Sequence, residues 1–206
     1  MLQARETPRV IVAVGSGPVT SRPPATARHP RQRLGLACST FGEQVVAKWC
    51  AGLIGESVAY DDPSWPPLAW LGGDHADSEL RIGRIAERGQ AYWPRVWAVR
   101  GLLYAWSPEA AGAVETALSD PSWRVRELAA KVALLRELGG AADRLCDLVG
   151  DPVPRVRAAS IRALAVLGEA EHAAALHSAT DDPSPAVREA AEKALAALAE
   201  RLDRPI

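Results

Sequence analysis

Apolar positions along most of the chain recur with the spacing of helices that bury one side. In residues 41–55 the side chains Val45, Val46, Trp49, Leu53 and Ile54 fall on one helical face. Comparable patterns cover residues 77–87, 93–106, 109–118, 123–138, 142–148, 154–167, 170–179 and 185–202. The composition also favours helices over strands, because the chain is rich in Ala and Leu and has only one Phe. The sequence predicts an all-α fold.

A seven-residue motif returns at a fixed distance in the second half of the chain. Residues 120–126 read DPSWRVR, residues 151–157 read DPVPRVR and residues 182–188 read DPSPAVR. The step from 120 to 151 equals the step from 151 to 182, and we call this step the repeat period. A constant period of this size is typical of stacked repeats. In each motif the proline ends one helix and the aspartate can cap the next. The pattern predicts helix pairs with short loops, stacked as an α-solenoid.

The period divides the chain into a tail and a repeat domain. Residues 1–39 are rich in Arg and Pro, and we expect a disordered tail there, with a targeting peptide or a basic arm as the alternatives. We expect the repeat domain over residues 40–206. Its first unit, 40–76, is a degenerate cap in which residues 62–65 repeat the DPSW of residues 120–123. About four helix pairs follow, over 77–119, 120–150, 151–181 and 182–206.

The motif Asp-Pro-x-x-x-Val-Arg, followed by an Ala-rich helix, resembles the HEAT-like repeat of the phycobilisome-lyase type over residues 77–202. Proteins with this repeat include chromophore lyases, a di-iron hydroxylase, alkylpurine DNA glycosylases and many scaffolds, so the resemblance implies a fold and leaves function open. In such repeats the motif's Asp and Arg usually tie loops together. The resemblance therefore implies structural joints at Asp120, Arg126, Asp151, Arg157, Asp182 and Arg188.

The distribution of charge and the cysteine content argue against several functional classes. The formal net charge is −1, but residues 1–39 carry six Arg and one Glu (+5), which leaves −6 for the remainder. A mildly acidic body disfavours bulk affinity for nucleic acid. The three cysteines form no CxxC pair, and no apolar run reaches the roughly 18–20 residues that span a bilayer. We expect reduced thiols, a bacterial-type cytoplasmic location, and no metal or cofactor.

A second series of residues is the candidate binding surface. Arg100, Lys131, Arg162 and Lys193 recur once per repeat period on the second helix of each pair. In HEAT-like stacks this helix lines the concave side, so the cations would form a stripe, which Arg124 and Arg155 would widen. Trp93 and Trp123 stand at helix starts beside Pro or Arg, a common anchor chemistry for partners. The alternatives are a solvated helix face for the cations and repeat-edge packing for the tryptophans.

Catalytic patterns are missing from the sequence. It contains no phosphate loop, no nucleophile elbow and no paired His-Glu dipeptides for iron. We therefore expect a monomeric, non-enzymatic scaffold that binds a protein partner on its concave face. The alternative is a nucleic-acid binder or repair-type glycosylase, and a weaker one is a chromophore-lyase-like subunit.

Overall fold

The computed structural model of the chain describes residues 22–206, in which all regular structure is helical. The predicted all-α solenoid is confirmed. The helices are α1 (Pro30–Phe41), α2 (Glu43–Ile54), α3 (Ala69–Gly72), α4 (Asp74–Arg81), α5 (Arg84–Glu87), α6 (Trp93–Gly101), α7 (Ala111–Ala117), α8 (Trp123–Leu135), α9 (Ala142–Asp147), α10 (Pro154–Leu167), α11 (Ala173–Ser178) and α12 (Pro185–Leu202). Residues 1–21 of the predicted tail lie outside the described part of the chain.

Helices α6, α8, α10 and α12, the second helix of each unit, stand side by side as a row of second helices. The row is parallel, because contacts join neighbouring helices at the same ends. Arg157 in the first turn of α10 pairs with Asp182 before α12, while Arg201 near the end of α12 donates to the Gly168 carbonyl at the end of α10. Parallel neighbours place residues that are one repeat period apart at the same height.

The sequence motif sets where each second helix begins. The N-cap residues Ser122, Val153 and Ser184 are extended, and Pro154 and Pro185 occupy the first helical position, which needs no backbone N–H donor. The motif's aspartate accepts the N–H of that N-cap residue at 2.7–2.8 Å. It therefore closes the turn before the helix, whereas the sequence suggested that it caps the helix itself.

The first helix pair differs from the prediction. Residues 77–87 do not form the partner of α6, because Gly83 adopts a left-handed conformation and splits them into α4 and α5. Ile82, which the pattern assigned to a buried face, is exposed. Helix α2 instead packs against both α6 and α7, in the position that the first helix of a pair occupies. The chain between α2 and α6 is an insertion that contains α3, α4 and α5.

The predicted boundary of the disordered tail at residue 39 is wrong. Residues 30–41 form helix α1, which packs on α2 and α3 and buries Leu34 and Ala37 completely. His29 caps this helix by accepting the Arg31 N–H at 3.2 Å, and Pro30 occupies the first turn. The Arg- and Pro-rich composition indicated disorder, but Pro30 begins the helix and the Arg33 side chain is buried.

The predicted degenerate unit keeps the turn of the motif and little of its helix. Asp62 Oδ1 accepts the Ser64 N–H at 2.9 Å, as the aspartates of the full motifs do two residues on. The helix that follows this turn, α3, has only four residues. Trp70 is buried edge-on to Phe41 and Trp65 is half-buried, so both pack within the first part of the stack.

Candidate functional site

The recurring Asp and Arg side chains join consecutive units. Arg95 Nε lies 2.6 Å from Asp120 Oδ2, and the same contact measures 2.7 Å for Arg126–Asp151 and for Arg157–Asp182. Arg126 and Arg157 also donate through Nη1 to the carbonyl of their own unit's aspartate, at 2.8 and 2.9 Å. Each arginine therefore bridges two neighbouring units. The hydrogen bond from Arg157 lowers the pKa of the Asp182 carboxyl.

Arg188 is the exception among the arginines of the motif. Its Nη1 donates to the Asp182 carbonyl at 2.7 Å, as in the other units, but the guanidinium makes no ion pair with any residue from 22 to 206. Its equivalents at 126 and 157 thus have one contact that Arg188 lacks. Comparison of Arg157 with Arg188 therefore distinguishes the contact between units from the hydrogen bonds within one unit.

Arg100 was predicted to lie in the exposed row of cations, and the structure contradicts this. Its side chain turns inward, where Nη2 donates to the Leu71 carbonyl at 2.9 Å and Nε is buried without a partner. Burial, followed by the nearby charge of Arg33, lowers the Arg100 pKa. The neighbours responsible belong to α1 and α3, elements that the sequence pattern did not place beside α6.

The other three cations of the row are exposed, and acids neutralise part of their charge. Lys131 and Arg155 both bind the buried Glu127, at 2.8 and 3.1 Å. Lys193 binds Glu189 at 2.6 Å; that hydrogen bond, together with the charges of Lys193 and Arg162, lowers the pKa of Glu189. The predicted stripe is thus a row of Lys–Glu–Arg groups between neighbouring helices. Its net positive charge is small.

Aromatic rings and guanidinium groups alternate at the starts of α6, α8 and α10. The Arg124 guanidinium lies 4.5 Å from the centre of the Trp123 ring and 5.8 Å from those of Trp93 and Tyr92. Its Nη1 also approaches the Tyr92 hydroxyl at 3.3 Å, and Arg155 lies 5.5 Å from Trp123 on the next helix. We call these five residues the aromatic–arginine cluster.

The repeat geometry explains how the cluster assembles. Trp93, Arg124 and Arg155 are each one repeat period apart, so they stand at one height on three parallel helices. Tyr92 and Trp123 form a second such pair. The sequence singled out Trp93, Trp123, Arg124 and Arg155 but missed Tyr92, although its place one period before Trp123 was a usable signal. Trp93 also stacks on Trp97, at 5.7 Å between ring centres.

The cluster borders an open groove with uncompensated positive charge. A groove of about 420 Å³ is lined by Tyr92, Pro121, Trp123 and Arg124, among others. Within residues 22–206 no carboxylate lies within ion-pair distance of Arg124. The cluster thus offers apolar rings and one cation that no acid in this part of the chain neutralises, which is the composition of an interface anchor.

The cysteines and other possible metal ligands within residues 22–206 do not form a second candidate site. All three cysteines are free, and burial raises the pKa of the Cys50 thiol, as it does for Cys38 and Cys146. Among the described residues no three His, Cys, Asp or Glu side chains are grouped so that they could hold a metal ion. No helix in the same range has the length and apolar character needed to cross a membrane.

The family model for HEAT repeats matches residues 142–205. This match covers the most regular part of the repeat, helices α9 to α12, and the row of helices α6, α8, α10 and α12 extends the arrangement toward the N-terminus. Residues 142–205 are therefore HEAT repeats, and the described helices before them continue a HEAT-like stack. The match does not distinguish the phycobilisome-lyase type from other HEAT repeats. No curated protein matches the sequence.

Proposed function

We propose that this chain is a non-enzymatic scaffold that binds a protein partner through the aromatic–arginine cluster. HEAT repeats generally serve as protein-interaction scaffolds. The observation that supports this site is Arg124, held between three aromatic rings at the surface without a carboxylate partner. Trp, Tyr and Arg dominate the binding energy of protein interfaces because they combine large apolar area with directional donors.

The cation row beside the cluster has a secondary part in this proposal. Lys131, Arg155 and Lys193 are already paired with glutamates, so a partner must compete with those ion pairs. Exposed ion pairs contribute little to affinity, whereas well-packed aromatic anchors contribute much. We expect charge changes at Lys131 and Arg162 to alter the association rate more than the lifetime of the complex.

Site-specific photo-cross-linking tests this proposal. A photoreactive amino acid replaces Arg155, which is exposed at the edge of the cluster, and in a matched variant it replaces Arg144, which is exposed on α9 away from the cluster. In extracts of the native cells, a partner protein should cross-link from position 155 and not from position 144. Equal labelling from both positions, or none, would contradict the proposal.

A single-stranded nucleic acid is the second candidate ligand, because bases stack on Trp and Arg in the same way. The observation against it is that Lys131 and Lys193 of the cation row are each paired with a glutamate, since phosphate backbones need several unpaired cations. Titration with a fluorescent oligonucleotide at increasing salt tests whether single-stranded nucleic acid is the ligand. Binding that weakens steeply with salt and is lost in Trp123→Ala would favour this ligand. The glycosylase and lyase alternatives rest on the family resemblance alone.

A further inference from the structure

A second basic region lies away from the aromatic–arginine cluster, beside α1 and the C-terminal ends of α6 and α8. There a cleft of about 650 Å³ is lined by His29, Arg31, Glu43, Tyr104 and Arg136, among others. Two of these residues are arginines and one is a histidine, while Glu43 is the single acid. The cleft is therefore a concave site with an excess of hydrogen-bond donors.

Arg136 is held in a fixed position in the cleft. Its Nε and Nη2 both donate to the Leu102 carbonyl, at 3.2 and 2.9 Å, and its guanidinium lies 5.2 Å from the Trp106 ring centre. No contact within residues 22–206 engages Nη1. A guanidinium fixed in this way loses little conformational entropy when it binds a ligand.

The arginines that line this cleft, and two arginines of α1 and α6 with buried Nε atoms, have no carboxylate partner among the described residues. Arg31 and Arg136 make no ion pair with the described residues. The Glu43 carboxylate already accepts a hydrogen bond from the backbone N–H of Trp106 at 3.0 Å. Arg33 and Arg100, on α1 and α6, both donate to the Leu71 carbonyl, at 3.4 and 2.9 Å. The Nε atoms of both are buried without a partner.

Burial affects the protonation equilibrium of these two arginines. It lowers the pKa of Arg33 and of Arg100, which means that their charge is desolvated without full compensation. The Tyr104 side chain, which lines the cleft, is close enough to Arg100 to influence its pKa. An anion in the cleft would bind Arg31 and Arg136 directly and would lie on the side of Tyr104, near the buried charge of Arg100.

We propose that this cleft binds a phosphate-bearing ligand. Arg31 and Arg136 donate to the phosphate oxygens, and the Tyr104 hydroxyl supplies a further donor. A phosphate is favoured over a single carboxylate because it carries close to two negative charges and more acceptor oxygens, which suits two forked donors. The ligand is either a free phosphate compound or a phosphorylated side chain of a partner, since both present the same group.

Calorimetric titration of the full chain tests this site. Inorganic pyrophosphate is titrated at constant ionic strength into wild type, Arg31→Gln, Arg136→Gln and the control Arg162→Gln, which lies on the row of second helices. Loss of one charge-assisted donor should weaken binding at least about tenfold in the first two variants and leave the control unchanged. The Arg31 side chain makes no hydrogen bond or ion pair with the described residues, so its variant should keep the wild-type melting temperature.

The proposal of a phosphate site is overturned if pyrophosphate does not bind beyond the sodium chloride blank. It is also overturned if all four proteins bind pyrophosphate equally. A second titration with a phosphoserine peptide separates the two sources. Tighter binding of the peptide supports a phosphorylated partner, and tighter binding of pyrophosphate supports a free phosphate compound. Neither result depends on the aromatic–arginine cluster, so this site and the proposed scaffold function stand or fall separately.

Discussion

Among the arginines of the repeated motif, Arg157 contacts two units at once, whereas Arg188 contacts only its own unit. Arg157 bonds the Asp151 carbonyl of its own unit and the Asp182 carboxylate of the next. Arg188 has the first bond and not the second. The sequence alone cannot separate the two roles, because both arginines occupy the same position in the repeat.

Truncation of these two arginines should have unequal effects. Arg157→Ala removes the half-buried bridge to Asp182 and should reduce the free energy of unfolding by on the order of 1–3 kcal/mol. Arg188→Ala removes only bonds within one unit and should cost clearly less. Urea denaturation of both variants measures the difference. Equal losses would show that the bridge between units does not contribute to stability.

The same bridge predicts a dependence on acid. Arg157 lowers the Asp182 pKa in the folded chain, so the unfolded chain binds a proton at higher pH than the folded chain does. The stabilisation is therefore fully present above about pH 4 and is lost as the pH falls through the lowered value. Asp182→Asn should be less stable than wild type at pH 7 and differ less at pH 3. A difference that stays constant with pH would contradict this.

At the scale of helices, the prediction succeeded where local signals and the period coincide. The observed bounds of α10 and α12 equal the predicted ranges 154–167 and 185–202, because a proline marks each first turn. Between residues 22 and 92 the predicted helix over 41–55 is observed as α2, but the pairing of α2 with α6 across the insertion was not predicted. Such a pairing is set by tertiary contacts, and a periodic pattern holds no information about it.

The contact between α2 and α6 depends on a residue without a side chain. A Cβ at Gly101 would lie 2.7 Å from Cys50 Sγ and 3.4 Å from a Leu71 methyl group. Gly101→Ala should therefore destabilise the fold by about 1–3 kcal/mol, although alanine favours helix. Gly112→Ala in α7, where nothing lies within 4 Å, is the control and should be neutral or stabilising by up to about 1 kcal/mol. Thermal unfolding of both variants provides the comparison, and a stable Gly101→Ala would refute this pairing.

The same dependence on distant elements limited prediction of the aromatic–arginine cluster and of the basic cleft. Trp123, Arg124 and Arg155 were found because the period brings them together on neighbouring helices. Arg100 follows the same period, yet it turns inward because α1 and α3 surround it. The basic cleft was not predicted at all, since its arginines Arg31 and Arg136 come from helices that are far apart in the sequence.

Over the whole molecule, the row of second helices changes character at α12. Ala158 and Ile161 of α10 are buried, whereas Glu189 and Glu192, which occupy the same positions one repeat period later, are exposed. An outward polar face of this kind prevents stacked repeats from associating further. The charged face of α12 agrees with the expectation of a monomer, which stays a prediction.

Replacing those two charges should promote self-association. Glu189→Ala with Glu192→Ile recreates on α12 the apolar pair that α10 buries. We expect a concentration-dependent dimer in sedimentation velocity, driven by the exposed apolar area. Glu109→Ala with Glu171→Ala, which removes two exposed acids outside this row, is the control for net charge. If the double variant sediments like wild type at high concentration, the polar face has no role in keeping the chain monomeric.

The repeated motif joins neighbouring units of the stack, and we propose that the aromatic–arginine cluster binds the partner. The most direct test compares Arg124→Ala with Arg157→Ala for both unfolding free energy and retention of the partner identified by cross-linking. We predict that Arg124→Ala loses the partner while stability falls by only about 0.5–2 kcal/mol. Arg157→Ala should be less stable yet still bind the partner under conditions where it is folded. The account is contradicted if folded Arg157→Ala loses the partner and Arg124→Ala retains it.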